Sequence, residues 1–96
     1  MKFFVAAILA VLIIGLTSAV NINDDGQPGC KEAIELEVVN YRNLWDPTRY
    51  WSCKQRGVAA VSVRCPDEHA WLDSQKKCVE WIDWNWEELV APPSKP

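Results

Sequence analysis

Residues 49–79 read RYWSCKQRGVAAVSVRCPDEHAWLDSQKKCV, punctuated as two hairpins in series. Tyr50-Trp51-Ser52-Cys53 is a short aromatic strand. Lys54-Gln55-Arg56-Gly57 follows as a turn, with Gly57 free to take the positive φ that many hairpin turns require. Val58 to Arg64 (VAAVSVR) is β-branched and pairs back on the first strand. Pro66 ends it, because proline has no N–H to give to a ladder. A second hairpin joins Ala70-Trp71-Leu72 to Lys77-Cys78-Val79 across Asp73-Ser74-Gln75-Lys76. Upstream, Ile34 to Val38 alternates apolar and acidic residues, the pattern of a half-buried strand, although Ala33, Ile34 and Glu37 equally fit one helical turn. Asp46-Pro47-Thr48 separates this segment from the first hairpin as a turn.

The chain opens Met1-Lys2-Phe3-Phe4, runs apolar from Val5 to Leu16 and closes on Thr17-Ser18-Ala19. One basic residue, an apolar stretch of about a dozen and small residues at the end form the pattern of a signal peptide. A spanning helix needs roughly 20 apolar residues, and here polar residues follow at once. The expected organisation is a signal peptide at 1–19, a flexible lead-in at 20–29, a domain at 30–88 and a Pro-rich, extended tail at 89–96. The expected location is secreted and extracellular, with no membrane contact after cleavage.

All four cysteines, Cys30, Cys53, Cys65 and Cys78, fall in the mature part. An even number in a short exported chain reads as a disulfide framework, with three connectivities open. Bridges answer a structural need, since a core this small supplies only about 3–5 kcal/mol. A zinc site is disfavoured: there is no Cys-x-x-Cys pair, and the single histidine, His69, has no partner at ligand spacing. Neither a metal nor any other cofactor is expected. The residues point to a small all-β disulfide-rich domain: a short antiparallel sheet followed by a two-stranded hairpin.

Charge narrows the partners. Without Lys2 the mature chain carries 9 basic and 13 acidic residues, a net charge of −4. The absence of a basic patch argues against nucleic acid, heparin-like polymers and anionic lipid surfaces. A neutral polysaccharide places no demand on net charge.

Tyr50-Trp51-x-Cys53, Gly57, Cys65-Pro66, Trp71 and Cys78, in that order and spacing, resemble the peritrophin-A type (type 2) of invertebrate chitin-binding domain over about residues 30–86. That family carries six cysteines, paired first to third, second to sixth and fourth to fifth. Here the second would fall near Pro47 and the sixth after Trp81. The two missing cysteines are partners of each other, so one whole bridge is absent and no thiol is stranded. The resemblance implies the pairs Cys30–Cys53 and Cys65–Cys78. It also leaves residues 79–90 without a covalent anchor, secured only by the packing of Trp81, Trp84 and Trp86. A second departure is Asp67, where the family usually has glycine after Cys-Pro.

The function implied is non-catalytic binding of chitin, a polymer of N-acetylglucosamine. Sugars are held by stacking the C–H-rich pyranose face on a flat ring, and Trp and Tyr are rigid apolar plates with a polar handle. The mature chain has six Trp, all between Trp45 and Trp86, and no Phe. Tyr50 and Trp51 are strand neighbours and point to opposite faces, so one is core and the other available to ligand. Trp71 occupies the family's buried aromatic position. Trp81, Trp84 and Trp86 are the stronger ligand candidates, because three rings so close are hard to bury in a small domain. Glu80, Asp83 and Asn85 are candidates for polar contacts to hydroxyl and N-acetyl groups.

No catalytic residues are expected. His69 beside Glu68 and Asp67 reads as an exposed loop histidine. Glu87-Glu88 could mimic a glycosidase dyad, but such dyads need a walled cleft. The alternative function is a secreted module on the same scaffold that has lost the sugar and binds an extracellular protein. A defence peptide ranks third, its acidic charge counting against membrane disruption.

Overall fold

A computed structural model describes residues 24–96. The expected signal peptide and the first residues of the lead-in lie outside the described residues. One short helix, α1 (Ala33–Val38), precedes strands β1 (Asn40–Arg42), β2 (Arg49–Ser52), β3 (Val61–Arg64), β4 (His69–Leu72) and β5 (Lys77–Glu80), and a 3₁₀ turn covers Trp81–Asp83. Strands β1, β2 and β3 form an antiparallel sheet in that order, and β4 and β5 form a separate hairpin. The chain is a small all-β disulfide-rich domain, as its turn chemistry indicates.

Ile34 to Val38 departs from the strand reading and forms α1. The alternation misleads because one of its two acidic members, Glu35, is the buried residue: it is 0 % exposed, whereas Ile34 is 48 % exposed. The Glu35 carboxylate accepts the backbone N–H groups of Lys31 and Glu32, both at 3.0 Å, and so satisfies donors that a helix start leaves free. Strand β3 is also shorter than the β-branched run suggests. Gly57 has φ 78° and donates its N–H to Cys30 O at 2.9 Å, so the turn widens and Ala60 drops into the core instead of pairing.

The disulfides join Cys30 to Cys53 and Cys65 to Cys78, the pairing that the resemblance implies. They close loops of 23 and 13 residues. Each contributes roughly 3 kcal/mol if it acts through chain entropy. The first bridge lies in the core with Ala60, against which Leu36, Tyr41 and Trp51 pack. The second ties the end of β3 to β5.

Register explains how the layers meet. Tyr41, Trp51 and Ser62 are cross-strand neighbours and share one face of the sheet, while Arg42, Tyr50 and Val63 share the other. The first face is covered by the Cys30–Cys53 bridge and α1. On the second, Tyr50 stacks on Trp71 of β4 with ring centroids 4.4 Å apart. Trp71 is 3 % exposed, as its position predicts. Its backbone N–H reaches Pro47 O at 2.7 Å and locks the hairpin to the β1–β2 loop.

Beyond the 3₁₀ turn the chain has no regular structure, yet hydrogen bonds hold it to the body. Trp84 Nε1 donates to Trp71 O at 3.0 Å, Ser74 N–H donates to a Glu87 carboxylate oxygen at 3.1 Å, and Arg42 donates to Glu87 O at 2.8 Å. Further on, the Ser94 hydroxyl and N–H both reach the Glu35 carboxylate, and Ser94 O accepts the Gly29 N–H. Residues 84–95 thus form a strap running from the hairpin past β1 to α1. The expectation that packing of Trp81, Trp84 and Trp86 alone secures the segment after Val79 is corrected here, because directional polar contacts do much of the holding. The end of the lead-in is tied in as well: Leu44 N–H and Trp51 Nε1 both donate to Asp25 O.

Candidate functional site

The aromatic residues singled out in the sequence divide into structural and exposed rings. Tyr50 and Trp51 point to opposite faces, but both faces are covered and both rings are half-buried. Neither is left as a fully open plate, because the hairpin packs on Tyr50 and the first disulfide cluster packs against Trp51, and part of each ring stays accessible. Trp84 is half-buried too, its indole N–H spent on Trp71 O. Trp81 and Trp86 remain available, at 45 % and 63 % exposed. Trp84 meets Trp81 edge to face at 5.5 Å, so the half-buried ring supports the exposed one.

Trp81 opens onto a groove of about 320 Å³ shared with Glu68, His69, Glu80 and Ile82. The hairpin builds it. His69 pairs with Glu80 at the open end of β4 and β5, and Trp81 N–H donates to Glu68 O at 3.2 Å. Glu68 itself has φ 64°, a left-handed turn that brings its carbonyl back to the start of the 3₁₀ turn. His69 Nδ1 lies 2.8 Å from Asp67 O. A carbonyl only accepts, so Nδ1 carries a proton and Nε2 of the neutral ring is an acceptor. The groove therefore offers one apolar plate, two carboxylates and an imidazole.

Sequence reasoning placed Trp81 and Glu80 among the candidates but missed His69, Glu68 and Ile82 as their neighbours. The missing signal was register. Extending the 70–72/77–79 pairing by one residue sets His69 against Glu80. Asp83 and Asn85 do not line the groove.

Of the acidic pair Glu87-Glu88, the Glu87 carboxylate is occupied structurally, accepting the Ser74 N–H, while Glu88 is exposed. Hydrogen bonds from Ser74, offset in part by burial, hold the Glu87 carboxyl below its ordinary pKa. A carboxylate held low is poorly suited to donate a proton as a general acid. Among the described residues, no three His, Cys, Asp or Glu side chains converge to hold a metal ion. No helix among them is long and apolar enough to cross a membrane. Two disulfides in a chain this short accord with an oxidising, extracellular setting.

Compared with known proteins, the chain matches no family model, no curated protein and no solved structure.

Proposed function

We propose that this chain is a secreted, non-catalytic chitin-binding module whose primary contact is Trp81. The observation that carries the reading is the groove itself. An indole plate, braced edge-on by Trp84, adjoins Glu68, His69 and Glu80 at the open end of the hairpin. A pyranose stacked on Trp81 would find carboxylate oxygens and an imidazole nitrogen within the same groove for its hydroxyl and N-acetyl groups. Trp86 is a second exposed plate for a neighbouring sugar unit. The order and spacing of Trp51, Cys53, Cys65, Trp71 and Cys78 support the same reading through the family resemblance. The signal-peptide pattern supports secretion. A single module gains nothing from multivalency, so affinity for soluble oligomers is expected to be weak.

The test is retention of the purified mature protein on chitin beads. Binding is expected to survive about 1 M salt, where the screening length falls to about 3 Å, because the polymer is neutral. Trp81→Ala is expected to lose retention while keeping the fold. Elution at moderate salt, or full retention by folded Trp81→Ala and Trp86→Ala variants singly and together, overturns the reading.

One observation favours protein binding instead. Ile82, beside Trp81, is 88 % exposed, and a sugar has no use for an exposed aliphatic side chain there. Failure on chitin, with capture of a defined extracellular protein that Ile82→Ser abolishes, selects that alternative.

A further inference from the structure

The two edges of the three-stranded sheet are finished differently. Cys53 N–H donates to Val39 O, so strand alternation turns the N–H and C=O of Asn40 and Arg42 away from β2. The chain itself covers that outer edge of β1. Lys76 Nζ reaches Asn40 O at 3.4 Å, and Gly26 lies so close to Arg42 O that it has no room for a side chain. At the opposite edge, Cys65 N–H donates to Thr48 O at 2.8 Å, which turns the N–H and C=O of Ser62 and Arg64 outward from β3. Among the described residues these four groups have no hydrogen-bond partner, and Val61, Ser62 and Arg64 are all exposed. An open edge is a template for another strand.

Side-chain chemistry selects which strand. Ser62 and Arg64 share one face of the sheet with Arg49, which lies directly opposite Arg64, while Val61 and Val63 share the other. Arg49 and Arg64 reach Asp46 and Asp67 at 3.8 and 3.6 Å, long contacts that leave the arginine side chains 44 % and 66 % exposed. Exposed pairs of this kind hold their partners weakly. In the β2–β3 loop, Arg56 donates only to the Lys31 carbonyl, and Lys54 makes no ion pair among the described residues. Residues 46–67 thus carry four basic side chains against two acidic ones, in a chain whose net charge is −3. That excess is too small to grip a polyanion, but it sets the sign of a short partner. A second copy of β3 would bring its own Arg49 and Arg64 to the same edge, which like-charge repulsion disfavours.

We propose that the outer edge of β3 docks an extended segment of a partner protein in which acidic and apolar residues alternate. Its backbone pairs with Ser62 and Arg64, its carboxylates fall on the Arg49–Arg64 face, and its apolar side chains continue the Val61–Val63 face. No residue of β3 lines the Trp81 groove, so the docking does not depend on chitin binding.

The probes are two capped hexapeptides, one alternating Val with Glu and the other Val with Lys, titrated into the ¹⁵N-labelled mature protein. The Val/Glu peptide is expected to shift the Ser62 and Arg64 amides saturably and to slow their hydrogen exchange several-fold, leaving Asn40 and Arg42 unmoved. The Val/Lys peptide is expected to bind much more weakly. Arg64→Gln is expected to weaken the Val/Glu peptide by about 1.5–5-fold, the worth of one cross-strand charge pair. Ser62→Pro removes one outward N–H and no bond to β2, and is expected to weaken it by about 2–10-fold. Undiminished protection of the Val63 amide checks that this variant is folded; if it is not, Arg64→Gln decides. Non-saturating shifts, equal binding of the two peptides, or shifts at Ser62 and Arg64 with no slowing of exchange overturn the proposal. So does parent affinity in either folded variant. A free protein that sediments as a dimer with both amides already protected also overturns it, assigning the edge to a second copy. Retention on chitin beads is expected to be unchanged by saturating Val/Glu peptide; loss of retention would place the peptide in the Trp81 groove and overturn the proposal.

Discussion

Replacing Glu35 with Gln tests the contact on which the strap depends. The Glu35 carboxylate is fully buried and accepts four hydrogen bonds: from Lys31 N–H and Glu32 N–H at 3.0 Å, from Ser94 N–H at 3.3 Å, and from the Ser94 hydroxyl. Glutamine preserves the shape but keeps one oxygen. Three bonds then lose their charge assistance, and an amide N–H₂ faces a donor in place of the fourth. A hydrogen bond to a charged partner is worth about 1.5–3 kcal/mol, against about 0.5–1.5 kcal/mol for a neutral one. The smaller cost of burying a neutral group offsets part of the loss, leaving a destabilisation on the order of 2 kcal/mol. In a domain of this size that is about 8–16 °C in melting temperature. The pH dependence sharpens the test. Burial would raise the Glu35 pKa, but the hydrogen bonds from Ser94, Glu32 and Lys31 outweigh it and the net shift is downward from 4.5. Its contribution is therefore complete above that value and fades as pH falls through the depressed native pKa. Asp46 and Glu87 are also lowered, and both are present in parent and variant, so their effects cancel in the difference. Melts of the disulfide-intact proteins by circular dichroism are expected to show the full gap at pH 7, narrowing steadily below about pH 4.5. Equal melting temperatures at pH 7, or a gap of the same size in strong acid, would refute the argument.

Three further outcomes follow from the same contacts. Gly29→Ala places a Cβ against the Lys95 carbonyl oxygen, in rigid backbone and closer than atoms can pack, so the strap must lift away; hydrogen exchange at Ser94 and Lys95 is expected to accelerate while β2 and β3 keep their protection. Trp71→Ala removes the ring on which Tyr50 stacks and is expected to cost about 3–5 kcal/mol in denaturant unfolding, whereas the exposed Trp86→Ala is expected to stay within about 0.5 kcal/mol. Trp84→Phe keeps an apolar ring but loses the N–H to Trp71 O, and about 0.5–1.5 kcal/mol of stability is the expected cost; if it unfolds at the parent midpoint, that contact does not anchor the strap.

Turn chemistry, strand composition and cysteine count were enough to read the two hairpins and the disulfide-rich class, because each rests on local rules. Gly57 supplies its positive φ, Pro66 withholds an N–H, and Val61 and Val63 are β-branched, whatever lies elsewhere in the chain. The burial of Trp71 was legible only through the family resemblance. The tertiary structure decided the rest. Ile34 to Val38 is a helix because Glu35 turns inward to bind N–H groups and a serine 59 residues away, a partner that no local window contains. Trp81 is exposed and Trp84 is not because the Trp71 carbonyl takes one indole N–H and leaves the other ring free, a choice made by the packing of the strap on the hairpin. Residues 24–29 of the lead-in and the tail, polar and irregular in sequence, become structural for the same reason. Lys95 lies 3.4 Å from Asp24, and that meeting depends on the path of every residue between them.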